Sequence, residues 1–285
     1  MALDHNQTKF LLRARRLGVS FSETATIGRQ ALYVDRDILV RQLSDYGLDA
    51  SSTTVENILT DGYAEKLFEL LGAHEIASFD ASDYENATYV HDFNNPIPDK
   101  FKNRFTCVVD GGTLEHVFNF PTAIKNSMEM LKVGGHFLGL TPTNNYSGHG
   151  FYQFSPELFY QTFVPENGFE IVKIYMLEES ARRRWYEVTD PNKVKERVVV
   201  INDEPTLLLL IAKKIAVVEI FANPPQQSDY LAMWKAANGD RVVANGSTFK
   251  RAISLLTRIQ KAAARPFGLV SRRPDHFRRI DDDEL

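Results

Sequence analysis

The stretch from Phe105 to Asn145, FTCVVDGGTLEHVFNFPTAIKNSMEMLKVGGHFLGLTPTNN, decides the fold. An apolar run, Phe105 to Val109, meets the pair Gly111-Gly112, an amphipathic stretch follows, and Gly134-Gly135 releases the chain into a second apolar run, Phe137 to Leu140. Short apolar runs bounded by glycines read as buried strands, and the stretch between them places Phe120, Ala123, Ile124, Ser127, Met128 and Leu131 on one helical face. Asn119 or Phe120 stands at the helix start, Pro121 in its first turn, and Lys132 and Gly134 close it. Strand, helix and strand in that order make a βαβ unit, with parallel strands and a right-handed crossover. Ligands of such sheets bind beyond the carboxyl ends of the strands. Those ends are Asp110-Gly111-Gly112 and Thr141 to Asn145, which bring amides, a carboxylate and side-chain amides to one edge.

Outward from this unit the pattern repeats. Thr24 to Gly28 reads as a first strand, ending in a glycine followed by Arg29 and Gln30. An insert, about 31–60, carries Ile38, Leu39, Leu43 and Tyr46 at helical spacing, then the loop LDASSTT; a helix from about Asp61 to Leu71 is stopped by Gly72. Glu75 to Phe79 is a second strand that delivers Asp80 to the carboxyl edge, and Thr88 to Val90 a third that ends in His91-Asp92-Phe93. Downstream, Ser155-Pro156-Glu157 caps a helix to about Phe163, Gly168-Phe169 turns into a sixth strand, Glu170 to Met176, and Thr206 to Ala212 is the seventh. Arg197 to Ile201 reads as a further short strand, and Arg182-Arg183-Arg184-Trp185 as an insertion whose charge run is a solvated face or an anion clamp. Residues 1–22 form a basic amphipathic helix.

The order VVDGG-x-LEHV, helix, LKVGG-x-F-L-x-L-TP resembles the second half of class I S-adenosylmethionine-dependent methyltransferases, and the likeness extends over roughly residues 24–212. It implies a Rossmann-like doubly wound sheet of seven mixed strands with helices on both faces, and transfer of a methyl group to an oxygen or nitrogen of a small polar or sugar-like acceptor. It also implies that Asp80, with Ala81, holds the ribose of S-adenosyl-L-methionine and that Asp92, with Phe93, meets its adenine. Gly28, Arg29, Asp110, Gly111 and Gly112 then line the methionine end. The family's first motif is a G-x-G-x-G loop, of which only Gly28 is present here. A chain that has lost cofactor binding and serves as a scaffold or partner subunit is the alternative reading. A nicotinamide-dependent dehydrogenase fits worse, since GxGxxG is absent.

The loop from Thr141 to Pro156, TPTNNYSGHGFYQFSP, is rich in hydrogen-bonding and stacking groups, and Asn144, Asn145, Tyr146 and Tyr152 are its candidate substrate contacts. His149, between Gly148 and Gly150, is the leading general base, with His116 of LEHV second; each can equally be a histidine bonded to a carbonyl or a pocket wall. No metal is expected. The single cysteine, Cys107, excludes an internal disulfide and a cysteine zinc site.

Composition sets the outer bounds. With 285 residues, 44% hydrophobic, 25% charged and a net charge of −4, the chain reads as one large α/β domain that does not bind nucleic acid in general. No signal-like apolar segment opens it, and its longest apolar run, Leu207 to Ala212, is far below the ~20 residues of a membrane span, so a cytoplasmic location is expected. The methyltransferase-like domain takes residues 1–221. Beyond Asn223-Pro224-Pro225 a helical basic extension, 222–285, holds a helix from Ser228 and an amphipathic one from about Phe249 to Ala263. Residues 250–279 carry nine Lys or Arg and one acid; this segment can touch a membrane surface peripherally, pack on its own domain, or form a homodimer contact.

Overall fold

The computed structural model describes residues 2–179, 184–194, 197–237, 276–281 and 284. Eleven strands are named among them: β1 (Ala2–Asp4), β2 (Glu23–Ile27), β3 (Ala31–Tyr33), β4 (Glu75–Asp80), β5 (Tyr89–Val90), β6 (Phe105–Asp110), β7 (Leu131–Asn144), β8 (Phe169–Glu178), β9 (Trp185–Val188), β10 (Thr206–Lys214) and β11 (Phe277–Ile280). The helices are α1 (His5–Arg16), α2 (Arg36–Asp45), α3 (Ser52–Leu59), α4 (Glu65–Leu71), α5 (Phe120–Met130), α6 (Pro156–Thr162), α7 (Pro191–Val194) and α8 (Ser228–Ala237).

Nine strands make one sheet in the order β11-β9-β8-β10-β7-β6-β2-β4-β5, and β1 pairs with β3 in a separate two-stranded sheet. Strands β5, β4, β2, β6 and β7 are parallel neighbours, while β10 runs antiparallel between β7 and β8. The order therefore reverses at β2 and β6, the switch point at which doubly wound sheets open a crevice for ligands. This is the expected Rossmann-like sheet, enlarged from seven strands to nine by β9 and β11 at one edge.

Alternation along the strands explains why both faces are covered. Val108, Leu208, Leu210 and Ala212 point into one core with Ile124 and Met128 of α5 and Phe159 of α6. Cys107, Val109, Leu207, Leu209 and Ile211 point into the other, with Phe10 and Leu11 of α1, Leu39 of α2, Val55 of α3 and Phe68 of α4. A strand buried on both faces must be apolar throughout, which is why these runs carry no polar alternation.

Several boundaries differ from the sequence reading. Arg197 to Ile201 is not a strand, and the described end of the C-terminal extension, Phe277–Ile280, is a strand on the sheet edge rather than part of a helix. The helix expected from Phe249 to Ala263, and Arg182 and Arg183, lie outside the described residues. Among the described residues no helix is long and apolar enough to cross a membrane.

Candidate active site

Parallel strands deliver the sequence-selected residues to one rim. Gly28 follows β2 with φ +74° and donates its N–H to the Phe79 carbonyl (2.6 Å), which ties the first turn to β4. Asp80 ends β4, half-buried, with Oδ1 accepting from the Ser82 amide (3.3 Å), and Ala81 beyond it is exposed. Asp92, two residues past β5, is exposed and shapes its own turn by accepting from the Asn94 amide (2.9 Å), while Phe93 is buried against Phe79. Those hydrogen bonds hold the Asp92 carboxyl below the usual carboxylate range. Asp110, Gly111 and Gly112 end β6 at the same rim.

At the switch point the crevice is lined by the chain itself. Gln30 is 2% exposed; its Nε2 donates to the Ile27 (2.8 Å) and Gly28 (3.0 Å) carbonyls, and its Oε1 has no hydrogen-bond partner. A Cβ at Gly111 would overlap Gln30 Oε1, lie 2.8 Å from Gln30 Cδ and lie 3.2 Å from Leu3 of β1. Sequence reasoning looked to Arg29 rather than Gln30 here. Arg29 instead pairs with Glu65 (2.7 Å), donates to the Glu85 carbonyl (3.0 Å) and lies over the Tyr63 ring at 3.7 Å, a clasp between the loops after β2 and β4.

The other side of the rim is built from Asp110, the turn Leu114–His116 and the loop after β7. Asp110 is buried and accepts from the Thr113 (2.8 Å) and Leu114 (3.3 Å) amides, while Thr113 Oγ1 donates to the Ile27 carbonyl (2.6 Å), which fixes that turn on the sheet. The turn points Glu115 inward, 1% exposed, and leaves His116 outside. The loop 141–156 is fastened back on it: Phe151 N–H donates to the Glu115 carbonyl (2.8 Å), and Tyr152 Oη donates to the Phe118 carbonyl (2.6 Å). Gly150 is needed at this approach, because its φ is +69° and a Cβ there would lie 2.8 Å from Glu115 O.

These contacts set His149 Nε2 3.4 Å from Glu115 Oε1 and its ring 4.8 Å from that of His116. Two histidines and a carboxylate that lie 34 residues apart in sequence thus converge. Burial, and then the neighbouring Asp110, raise the Glu115 carboxyl above its ordinary range. Burial likewise raises Asp110, against the backbone amides of Thr113, Leu114 and Gly112 that stabilise its charge. His116 is pushed down by desolvation and by His149.

The proposed substrate contacts divide. Tyr146 lies against His149 with ring centroids 5.7 Å apart. Asn144 and Asn145 direct their amides at Asn202 (2.7 and 3.0 Å), and Asn145 also donates to the Glu204 carbonyl (2.8 Å), so both pin the loop to the start of β10. A cavity of about 650 Å³ lies elsewhere, between the first half of β8 and the end of β9; Lys173 and Arg278 in its wall are both paired with Glu187.

No protein-family model and no curated protein matches the chain. Solved structures do resemble it. An S-adenosylmethionine-dependent methyltransferase from Mesorhizobium loti is 13% identical, with TM-score 0.39, over 71% of this chain and 95% of that one. The 1,6-didemethyltoxoflavin N1-methyltransferase of Burkholderia thailandensis is 13% identical, with TM-score 0.40, over 74% of this chain and 78% of that one. A branched-chain polyamine synthase from Thermus thermophilus is 14% identical, with TM-score 0.39, over 75% of this chain and 58% of that one.

Proposed function

We propose that the chain is an S-adenosyl-L-methionine-dependent methyltransferase acting on an oxygen or nitrogen of a small polar or sugar-like acceptor. One observation carries the reading: Gly28, Asp80, Asp92 and Asp110-Gly111-Gly112 leave parallel strands on the rim that also carries the loop of His149. The residues fit the cofactor on its nucleoside side, where Asp80 and Asp92 offer carboxylates for hydroxyl and amino groups. On the methionine side the buried, unpartnered Gln30 Oε1 is an acceptor for an ammonium group.

When bound, the cofactor supplies an electrophilic methyl carbon: the acceptor's lone pair forms the new bond as the carbon–sulfur bond breaks, and the electron pair stays on the neutral thioether. The chain's own part is to hold the acceptor in line and activate it. His149 and His116 are the groups at the rim suited to that activation, with Glu115 fixing His149 from behind. Tyr146 and Tyr152 flank the acceptor's approach.

The scaffold reading is favoured by a different detail, the packing of Gln30 and Leu3 directly over Gly111. Calorimetric titration of the full chain with S-adenosylmethionine and S-adenosylhomocysteine separates the two. Saturable binding of both with Kd at or below ~100 μM is the expected result, and no heat at millimolar ligand overturns it in favour of the scaffold.

A further inference from the structure

Glu115, His116 and His149 each offer one donor atom, and the three donors lie within 4.8 Å of one another. Donors bound to one zinc-sized ion at about 2.0–2.2 Å stand roughly 3.4 Å apart in tetrahedral geometry, which is the separation already found between Glu115 Oε1 and His149 Nε2. The two imidazoles that would close the remaining distance are both exposed. A second observation points the same way. Glu115 is 1% exposed and its Oε2 has no protein hydrogen-bond partner, while the Thr141 hydroxyl beside the carboxyl favours its charged form. A buried carboxylate oxygen left without a donor is costly, and a cation is the compensation that such a site lacks.

We infer that Glu115, His116 and His149 form a site for a divalent transition-metal ion at the acceptor side of the rim. Two imidazoles and one carboxylate are the donor set of open zinc and iron centres, and less suited to magnesium or calcium, which prefer oxygen. Three ligands leave coordination positions free toward solvent, since both histidines are exposed. Gly112 keeps the carboxylate in place without crowding it: its φ is +97°, and a Cβ there would lie 3.1 Å from Glu115 Oε1.

The consequence for chemistry rests on the methyl-transfer reading. A hydroxyl coordinated in an open position loses its proton to water near neutral pH, so the site selects an oxygen acceptor over a nitrogen one. His149 and His116 then activate the acceptor as ligands of the ion.

The test uses the full chain stripped with a chelator. Titration with Zn²⁺, and separately with Co²⁺ read by its visible absorption, is expected to show one site with Kd at or below ~10 μM. His149→Ala and His116→Ala are each expected to weaken it at least tenfold, and His74→Ala, at the opposite side of β2, to leave it unchanged. Glu115→Gln should abolish the cobalt spectrum; because this residue is buried, the exposed histidine variants decide if it fails to fold. Zinc bound equally well by wild type and both histidine variants, or not bound at all, overturns the inference. A chain that binds S-adenosylmethionine but no metal loses this site alone, whereas one that binds metal but no S-adenosylmethionine keeps the site and loses the methyltransferase.

Discussion

Gly111 and Gln30 are matched to each other, and the match can be measured. Gly111→Ala places a methyl group against the Gln30 amide and Leu3 in a crevice with no spare room, and should destabilise the chain by about 1–3 kcal/mol. In a Gln30→Ala background most of that loss should disappear, so a double-mutant cycle followed by urea unfolding gives a coupling energy; strict additivity would show that the two do not touch. His136 makes a second prediction, about acid stability. It is 8% exposed with Nδ1 unpartnered, and burial, then Lys213, push its pKa from 6.5 down to about 4. Between those values the unfolded chain binds a proton that the native chain refuses, so the contribution of neutral His136 is complete above pH 6.5 and is lost as pH falls through 4. Unfolding midpoints between pH 7 and 4 should fall less in His136→Leu than in wild type, by at most about 3 kcal/mol. Equal slopes would place this histidine in water. Asp80 and Asp92 were legible from sequence at this scale because strand ends announce themselves. Gln30 was not, because nothing in the order Gly28-Arg29-Gln30 tells which side chain turns inward. Nothing in LEHV marks Glu115 as a neighbour of His149, and only the fold brings the two together.

At the scale of elements, α5 shows how a helix end is closed by a distant strand. Lys214, the last residue of β10 and 3% exposed, donates to the carbonyls of Met128 (3.2 Å) and Leu131 (2.8 Å) and to Asn103 Oδ1 (2.9 Å). These carbonyls belong to the helix's final turn and the residue that follows it, where no intrahelical donor remains. Lys214→Met keeps the apolar stem and leaves two buried carbonyls unpaired, so thermal unfolding should show a loss of about 2–3 kcal/mol. A change below 0.5 kcal/mol, roughly that of an ordinary surface substitution, would contradict this role. The strands β6, β7 and β10 were legible because strands covered on both faces must be apolar runs. Arg197 to Ile201 has the right composition but no edge to join: β10 is flanked by β7 and β8, and the outer side of β8 is taken by β9. The outer strands β9 and β11 were missed because WYEV and FRRI are four-residue segments with charges among the apolar residues, next to arginine runs that read as solvated.

Across the whole molecule, the claim is that one rim of a doubly wound sheet serves both halves of a transfer reaction. On the proposed reading the cofactor's nucleoside end lies at β4 and β5, its methionine end at the switch point between β2 and β6, and the acceptor at the loop after β7. The parallel βαβ unit followed from the sequence's glycine-bounded apolar runs and the doubly wound sheet from the resemblance; the clasp of Arg29 and the packing of Leu3 on Gly111 did not, since both join segments far apart in the chain. The most direct test is a paired calorimetric titration of wild type and Asp80→Asn with S-adenosylhomocysteine. Binding by wild type with at least a tenfold weaker Kd in Asp80→Asn is predicted, because asparagine keeps an oxygen for the Ser82 amide and removes the charged acceptor. Equal binding by both proteins would move the nucleoside away from this rim and contradict the account.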